Sequence, residues 1–173
     1  ILLDRDGVIN EDREDSVKSP EEFVLLPGVV AAIQLLNQAS IPIAIVTNQA
    51  VVGRGHLSLE ELDTIHNSFQ EALKKQGAYV DRIYSCTSTD PQHFHRKPNP
   101  GLLIDALNDF QVQPHEAVLI GDALRDLEAA SAIQCHRILV RTGKGRQAFH
   151  NGLPASVLPV KVFNDLYEAV SHL

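Results

Sequence analysis

The sequence predicts an α/β fold, a Rossmann-like parallel sheet with helices on both faces, and two observations carry this prediction. Short apolar runs alternate along the chain with amphipathic stretches of helical length, which is the pattern of repeated βαβ units. The apolar runs are continuous, as is typical of strands that are buried on both faces. No segment is long enough for an independent cap, so we expect one domain over residues 1–173 that is capless or has a minimal cap.

The apolar runs predict six strands, and amphipathic stretches between them predict the helices. The strands are expected at residues 1–3, 41–46, 82–85, 117–120, 137–140 and 160–163. The helices are expected at residues 28–39, 58–76, 100–110 and 124–133, with one more at the C-terminal end. The helix over 58–76 has the clearest signals, because Ser58 and Glu61 form a capping box and Gly77 stands at its end.

Charge and cysteine content narrow the class of protein. The chain has 15 Lys and Arg against 22 Asp and Glu, a net charge of −7, whereas a nucleic-acid surface would need a basic patch. No run approaches the about 18 apolar residues of a membrane span, and two cysteines fit a reducing cytoplasm. We therefore expect a cytoplasmic protein that binds neither nucleic acid nor membrane. Because the sequence starts inside an apolar run and has no Met, we expect a few residues to precede Ile1.

Polar side chains follow four predicted strands in succession. In strand order they are Asp4 and Asp6, then Thr47, Asn48 and Gln49, then Arg96 and Lys97, then Asp122 and Asp126. Ligands of such sheets bind beyond the carboxyl ends of the strands, so we expect these groups to meet. Each signal alone has an ordinary explanation, such as a solvated carboxylate, a turn, an exposed lysine or a helix cap. Their joint position at four strand ends predicts a phosphate and metal site.

The chemistry of these groups suits phosphoryl transfer. A carboxylate such as Asp4 attacks phosphorus when nearby charge is neutralised, and Mg²⁺ held by Asp4 and Asp122 would do this. Asp6 would protonate the leaving oxygen and later activate water. Thr47 and Lys97 would stabilise the phosphoryl group as charge is redistributed in the transition state.

These residues resemble the haloacid dehalogenase superfamily. Its four motifs match residues 4–8, Thr47-Asn48, Lys97 and residues 121–126, and the resemblance covers nearly the whole chain. Three longer strings, residues 4–10, residues 47–49 with 53–55, and residues 96–101, look like a capless branch of that superfamily. The branch includes phosphatases of D-glycero-D-manno-heptose 1,7-bisphosphate, which act on the 7-phosphate, and of histidinol phosphate.

The resemblance implies a Mg²⁺-dependent phosphomonoester hydrolase with an aspartyl-phosphate intermediate. Asp4 would be the nucleophile, Asp6 the acid and base, and the magnesium ligands would be Asp4, the Asp6 backbone carbonyl and Asp122. Asp126 would orient Lys97 rather than bind the metal.

The resemblance also implies the substrate contacts. Asn48, Gln49 and Ala50 would line the pocket, and Arg96 would contact the rest of the substrate, including its second phosphate. Arg54 is a less specific candidate, since a loop arginine need not contact substrate, although the Arg-Gly at 54–55 favours the heptose enzyme. We expect a monomer that binds a small phosphorylated sugar, in bacterial surface-sugar (lipopolysaccharide) synthesis.

Two departures from the family pattern keep alternatives open. The usual zinc loop retains only Cys86, His93 and His95, with Ser88 where a fourth ligand would stand, so we expect no zinc. Residues 11–16 hold four carboxylates, which could meet an ammonium group, so histidinol-phosphate phosphatase remains an alternative. A catalytically silent protein on the same fold is a second alternative, although no catalytic position is lost.

Overall fold

Six parallel strands form the sheet of the structure, a computed structural model that describes residues 1–173. The strands are β1 (Leu2–Leu3), β2 (Ala44–Asn48), β3 (Arg82–Cys86), β4 (Val118–Gly121), β5 (His136–Val140) and β6 (Lys161–Phe163). They lie in the order β3-β2-β1-β4-β5-β6, and each neighbouring pair is parallel. The predicted fold class is confirmed, whereas the single domain over 1–173 stays a prediction.

Helices connect the strands. They are α1 (Val29–Gln38), α2 (Ala50–Gly53), α3 (Leu59–Lys75), α4 (Gly101–Phe110), α5 (Leu124–Ala132), α6 (Gly145–His150) and α7 (Leu166–Ser171). Short 3₁₀ turns occur at Pro20–Glu22, Pro114–Glu116 and Ala155–Val157. The capping box of α3 is confirmed, since the Ser58 side chain accepts from the Glu61 amide and the Glu61 side chain from the Ser58 amide. Sequence periodicity missed α2 and α6, because helices of four and six residues are too short to show it.

The sheet is covered on both faces because alternate residues of each strand point to opposite sides. Leu3 and Ile45 belong to the larger apolar cluster, which also contains residues of α1, α3 and α7. Leu2 and Val46 belong to a second cluster, with residues of α4 and α5. No helix combines the length and apolar character needed to cross a bilayer.

Strand β2 begins later than expected, and this changes how the site is built. Pro42 lies two residues before it and cannot donate to a ladder. The Ile43 amide donates to the Asp81 side chain, so regular pairing starts at Ala44. Thr47 and Asn48, which we expected just after the strand, are its last two residues and pair with Ser85 and Cys86 of β3. Their side chains are therefore fixed by a strand rather than by a loop.

The strand order creates a crevice at the centre of the sheet. After β1 the chain runs to one side through β2 and β3, and it then returns to β4 on the other side of β1. Connections that leave in opposite directions open a crevice at the carboxyl ends of the two central strands, where ligands of such folds bind. The predicted site residues lie at this crevice.

Candidate active site

Asp4 stands at the end of β1 in the centre of the crevice, and it is buried. Its amide donates to the Ile120 carbonyl of β4 at 3.0 Å, and its Oδ1 accepts from the Arg5 amide at 2.7 Å. Burial, followed by the nearby charge of Asp126, raises the pKa of Asp4 to about 6, although Lys97 opposes this. A buried carboxylate with a raised pKa needs a cation to remain ionised.

Lys97 supplies one such cation from the segment before α4. Its buried Nζ lies 3.0 Å from Asp4 Oδ1 and 2.7 Å from Asp126 Oδ1, and it donates to the Val46 carbonyl at 2.7 Å. Burial favours the neutral amine, but Asp126 and Asp4 outweigh burial and raise the pKa of Lys97 above its ordinary value. The ammonium is therefore charged at neutral pH.

Asn48 holds the Lys97 segment in place rather than pointing freely at a ligand. Its Nδ2 donates to the Lys97 carbonyl at 2.9 Å, and its Oδ1 accepts from the Lys97 amide at 3.0 Å. Asp126 is held from the other side, because its Oδ2 accepts from the Ala123 amide at 3.0 Å. The lysine is thus positioned by contacts to both its backbone and its ammonium group, and Asp126 lies against it as the family resemblance implies.

Asp122 follows β4, and only one of its two carboxylate oxygens has a partner in the protein. Its Oδ2 accepts from the Lys144 amide at 2.7 Å, whereas its buried Oδ1 has no hydrogen-bond partner. Burial, with the charges of Asp4 and Asp126, raises the pKa of Asp122 to about 8. Two glycines make room for this carboxylate, since a Cβ on Gly7 or on Gly143 would lie 2.1 Å from Oδ2.

The donor set fits a divalent cation. Carboxylate oxygens of Asp4, Asp122 and Asp126 lie within 4.8 Å of one another, and Asp126 is already paired with Lys97. Asp4 shares the single Lys97 cation with Asp126, and Asp122 Oδ1 has no partner at all, so the negative charge of Asp4 and Asp122 is only partly compensated. Mg²⁺ is bound in proteins by one or two carboxylates together with waters and substrate phosphate, so these residues fit magnesium.

Asp6 faces the same crevice and is held by three donors. Arg5 Nη2 and Asn10 Nδ2 each donate to Oδ1 at 2.9 Å, and Gln49 Nε2 donates to Oδ2 at 2.8 Å. Burial would raise the pKa of Asp6, but Arg5, Asn10 and Gln49 outweigh it and hold that pKa below its ordinary value. The structure therefore describes Asp6 as an ionised, oriented carboxylate.

Gln49 and Thr47 are joined in the same network. Gln49 Nε2 lies 2.9 Å from Thr47 Oγ1, so its amide nitrogen serves Asp6 and Thr47 while its substrate contact stays a prediction. The Thr47 hydroxyl accepts from Gln49, and its own hydrogen is free to donate to an oxygen in the crevice.

A polar cavity of about 430 Å³ opens above these groups. Seven of the predicted residues line it: Asp6, Asn48, Gln49, Ala50, Arg54, Arg96 and Lys97. Arg96 is held by the Ser88 carbonyl, to which its Nη1 donates at 2.8 Å, and Arg54 is exposed. The cavity is thus lined by several cations in a protein of net negative charge.

Sequence reasoning missed three cations of this cavity, Arg13, Arg125 and Lys144. Arg125 lies directly before Asp126, and its Nε is buried without a hydrogen-bond partner. Lys144 follows β5, and its Nζ lies 2.8 Å from Asp12 Oδ2. The position of Arg125 inside the fourth motif was a usable signal, whereas nothing near Lys144 in the sequence marked it.

Two of the four carboxylates in the acidic loop at residues 11–16 are paired within the protein. Asp12 pairs with Lys144, and Asp15 pairs with Arg13 and with Lys18, at 2.6 Å in the second case. Asp12 and Asp15 are therefore less available to a substrate ammonium group than the sequence suggested, whereas Glu14 lines the cavity without an ion-pair partner.

The three candidate zinc ligands, Cys86, His93 and His95, do not meet at one point. Cys86 Sγ lies 3.7 Å from His93 Nδ1, whereas His95 Nε2 is turned to Asp105 at 3.0 Å. The one group of three metal-ligating side chains in the structure is Asp4, Asp122 and Asp126. The absence of zinc stays a prediction.

Comparison with known proteins agrees with this geometry. Residues 94–169 match the HAD-hydrolase-like family model. The D-glycero-beta-D-manno-heptose-1,7-bisphosphate 7-phosphatase of Pseudomonas aeruginosa is 37% identical over 174 aligned residues, which cover 100% of this chain and 96% of that protein. The chain belongs to the haloacid dehalogenase (HAD)-like hydrolases.

Other HAD-like hydrolases extend the comparison. The enzyme of the same name from Neisseria meningitidis serogroup A is 39% identical over 85% of this chain and 79% of its own length. The crystal structure of D,D-heptose 1,7-bisphosphate phosphatase from Bordetella bronchiseptica, complexed with magnesium and phosphate, superposes with a TM-score of 0.93. It is 38% identical and covers 99% of this chain and 96% of that one.

Proposed function

We propose that this HAD-like hydrolase is a Mg²⁺-dependent phosphatase that removes the 7-phosphate of D-glycero-D-manno-heptose 1,7-bisphosphate. The observation that carries the proposal is the contact between Asp4 and Lys97, 3.0 Å apart and both buried, where Lys97 also lines a cavity that holds several other cations. Relatives with that name align with most or all of the chain.

In the first step an Asp4 carboxylate oxygen attacks the phosphorus of the ester. The bond between phosphorus and the sugar oxygen breaks, and the electron pair leaves with that oxygen. Asp6, ionised in the free enzyme, takes up a proton from solvent when the negative phosphate binds beside it and raises its pKa. It gives that proton to the same oxygen, so the sugar departs as an alcohol. Asp4 then carries the phosphoryl group. Lys97 and the free hydroxyl hydrogen of Thr47 contact the phosphoryl oxygens as their charge changes.

In the second step a water molecule attacks the phosphorus of the acyl phosphate. Asp6, now a carboxylate, accepts the proton of that water. The bond between phosphorus and Asp4 breaks, which releases inorganic phosphate and restores the Asp4 carboxylate. The sum is hydrolysis of one ester bond by one water, and the Asp6 proton is regained for the next cycle.

Magnesium held by Asp4, Asp122 and the Asp6 carbonyl would neutralise the charges of the carboxylate and the phosphate that must meet. Asp126 stays with Lys97 in this scheme. The unpaired Oδ1 of Asp122 supports this assignment, because a buried carboxylate oxygen without a donor is costly unless a cation binds it.

The second phosphate of the substrate accounts for the other cations of the cavity. Arg96 is already oriented by Ser88, and Arg54 lines the same cavity. A guanidinium matches phosphate oxygens with two parallel donors. A substrate with a single phosphate would leave these arginines without an anionic partner, so the lining favours a bisphosphate.

Phosphate release with Mg²⁺ from three substrates tests the proposal. We expect heptose 1,7-bisphosphate to be hydrolysed with a higher kcat/KM than histidinol phosphate or fructose 1,6-bisphosphate. Histidinol phosphate as the best substrate would establish the alternative enzyme. Equal rates for all three and for p-nitrophenyl phosphate would refute the substrate assignment. Asp4→Asn is the inactive control, and turnover at the wild-type rate by that variant would refute the mechanism.

The setting of the reaction belongs to the same proposal. We place the enzyme in the cytoplasm as a monomer that acts as one unit over residues 1–173, in the synthesis of surface sugars such as lipopolysaccharide. Light scattering on the purified protein tests the oligomeric state, and a mass above that of one chain would refute it.

A further inference from the structure

His66 lies outside the cavity, yet it contacts the side chain that holds Asp6. It is on α3 and is buried, and its Nε2 lies 3.1 Å from Arg5 Nη1. The other terminal nitrogen of the same guanidinium, Nη2, donates to Asp6 Oδ1 at 2.9 Å. One planar group therefore joins His66 to Asp6.

The chemistry of the contact defines the state of the imidazole. A guanidinium has donors and no acceptor, so His66 Nε2 must accept, and the ring is neutral with its proton on Nδ1. Burial, followed by the charge of Arg5, lowers the pKa of His66 to about 4, which agrees with this tautomer. His66 is therefore an acceptor at all pH values where a phosphatase of this kind would work.

Arg5 has few other ways of being held. It is among the largest fully buried side chains, its Nε has no hydrogen-bond partner, and its guanidinium lies 5.5 Å from the centre of the Phe23 ring. The Phe23 contact restrains the plane of the group only weakly, since a ring face offers no directed acceptor. The acceptors that fix the guanidinium in that plane are His66 on one side and Asp6 on the other.

We propose that His66 is a positioning residue that acts through Arg5 to aim the Asp6 carboxyl at the leaving oxygen. The helix α3 thereby contributes to the proton-transfer geometry without contacting substrate. Asn10 and Gln49 hold Asp6 from other directions, so loss of His66 would loosen the aim of Asp6 without releasing it.

Leaving-group dependence separates this role from a merely structural one. A sugar hydroxyl is a poor leaving group and needs the Asp6 proton, whereas p-nitrophenolate departs without one. Because kcat/KM reports events up to the first irreversible step, it is sensitive to the acid role for the sugar ester and not for p-nitrophenyl phosphate. Damage to the fold or to the Asp4 site would lower kcat/KM for both esters alike.

A matched pair of variants provides the test. Gln and Met have similar length and shape, but only Gln carries an acceptor for Arg5. We expect His66→Met to lose about tenfold in kcat/KM on a sugar phosphate and less than about twofold on p-nitrophenyl phosphate, and His66→Gln to stay near wild type on both. Equal losses on both esters, no loss in His66→Met, or equal behaviour of the two variants would overturn the proposal.

Two further measurements keep the proposal testable if His66→Met does not fold. His66→Asn keeps a polar amide but withdraws it by one methylene, and a wild-type ratio of the two esters in that variant would overturn the proposal. In the wild-type protein, the ¹⁵N spectrum of His66 should show a neutral ring protonated at Nδ1, and protonation at Nε2 would exclude the contact.

The proposal rests on the proposed function only in using phosphate-ester hydrolysis as its readout. If wild type hydrolyses other sugar phosphates but not the heptose bisphosphate, the substrate assignment fails. The ratio between sugar and nitrophenyl esters can then still be measured, so the two failures are distinguishable.

Discussion

Lys97 Nζ lies 2.7 Å from Asp126 Oδ1, and neither side chain is exposed to solvent. This ion pair sits beside the contact between Lys97 and Asp4, so one buried cation is shared by two buried carboxylates. Because Asp126 also pairs with the Lys97 ammonium group, the cation keeps its position when the charge on Asp4 changes during the reaction.

Replacement of the buried lysine is expected to damage both stability and catalysis. Lys97→Met leaves two buried carboxylates without their partner, which we expect to cost about 3–5 kcal/mol of unfolding free energy and at least about a hundredfold in kcat. Urea unfolding and steady-state kinetics measure the two effects. The control Lys75→Met, at an exposed position of α3, should change stability by no more than about 0.5 kcal/mol.

We expect that Gly143, which packs against Asp122, cannot be replaced by a residue with a side chain. In Gly143→Ala the new Cβ would lie 2.1 Å from Asp122 Oδ2, and the residue has a φ of +51°. We expect loss of magnesium-dependent activity together with lower stability. Gly55→Ala is the matched control, because Gly55 also has a positive φ, +74°, but has nothing within 4 Å of the new Cβ. It should lose about 1 kcal/mol of stability and retain kcat, and a similar loss of activity in both variants would contradict the prediction.

Asp122→Asn is expected to be inactive yet more stable than wild type in the absence of metal. The pKa of Asp122 is raised to about 8 by burial and by the carboxylates near it, so above that pH the metal-free protein bears an uncompensated buried charge. In EDTA at pH 8.5 we expect the variant to melt at least about 3 °C higher. Added Mg²⁺ should raise the Tm of wild type and leave that of the variant unchanged. An equal magnesium response in both proteins would show that Asp122 is not a ligand.

His66 is expected to make stability fall as the pH is lowered. Its pKa is about 4 in the folded protein against an ordinary value of 6.5, so between these values the unfolded chain binds a proton that the folded chain does not. The contribution of neutral His66 to the free energy of unfolding is therefore complete above pH 6.5. It falls by about 3 kcal/mol as the pH is lowered from 6.5 to 4. Urea unfolding between pH 4 and pH 7 measures it, and His66→Gln should show a shallower slope. Parallel curves for the two proteins would exclude His66 as the source.

Arg125 is expected to bind substrate. Its guanidinium lines the cavity while its Nε lacks a partner, and a charge-assisted hydrogen bond to phosphate is worth about tenfold in binding. Arg125→Met should therefore raise KM for the bisphosphate by about that factor. The exposed Arg146→Met is the control. A KM that is unchanged in Arg125→Met would remove this residue from the substrate site.

The sheet and its longer helices could be predicted because they depend on local signals. Helix α3 carries its cap, its apolar stripe and its terminal glycine within the sequence, and its predicted bounds differ from the observed ones by one residue at each end. The start of β2 was misplaced because apolar Ile41 resembles a strand residue, whereas the pairing that defines the strand is with distant parts of the chain.

The site residues also divide into those that sequence signals predict and those that depend on contacts between distant parts of the chain. Asp4, Asp122 and Lys97 follow strands, so sequence order and fold class together predict that they meet. The contacts made by Asn48 and Gln49 were not predictable, because an amide side chain can serve a ligand or a neighbour equally well. Lys144 and His66 were missed because they act through a backbone amide and through Arg5 respectively, and neither kind of contact leaves a pattern in sequence.

The central place of β1 has a consequence for how activity arises during folding. Leu3 pairs on one side with Ile45 and on the other with Ile120, so the position of Asp4 depends on partners about 40 and about 120 residues along the chain. Contacts of such sequence separation form late and slowly. After dilution from denaturant, helical signal should therefore return well before hydrolysis does, and the first turnover should coincide with the docking of β4.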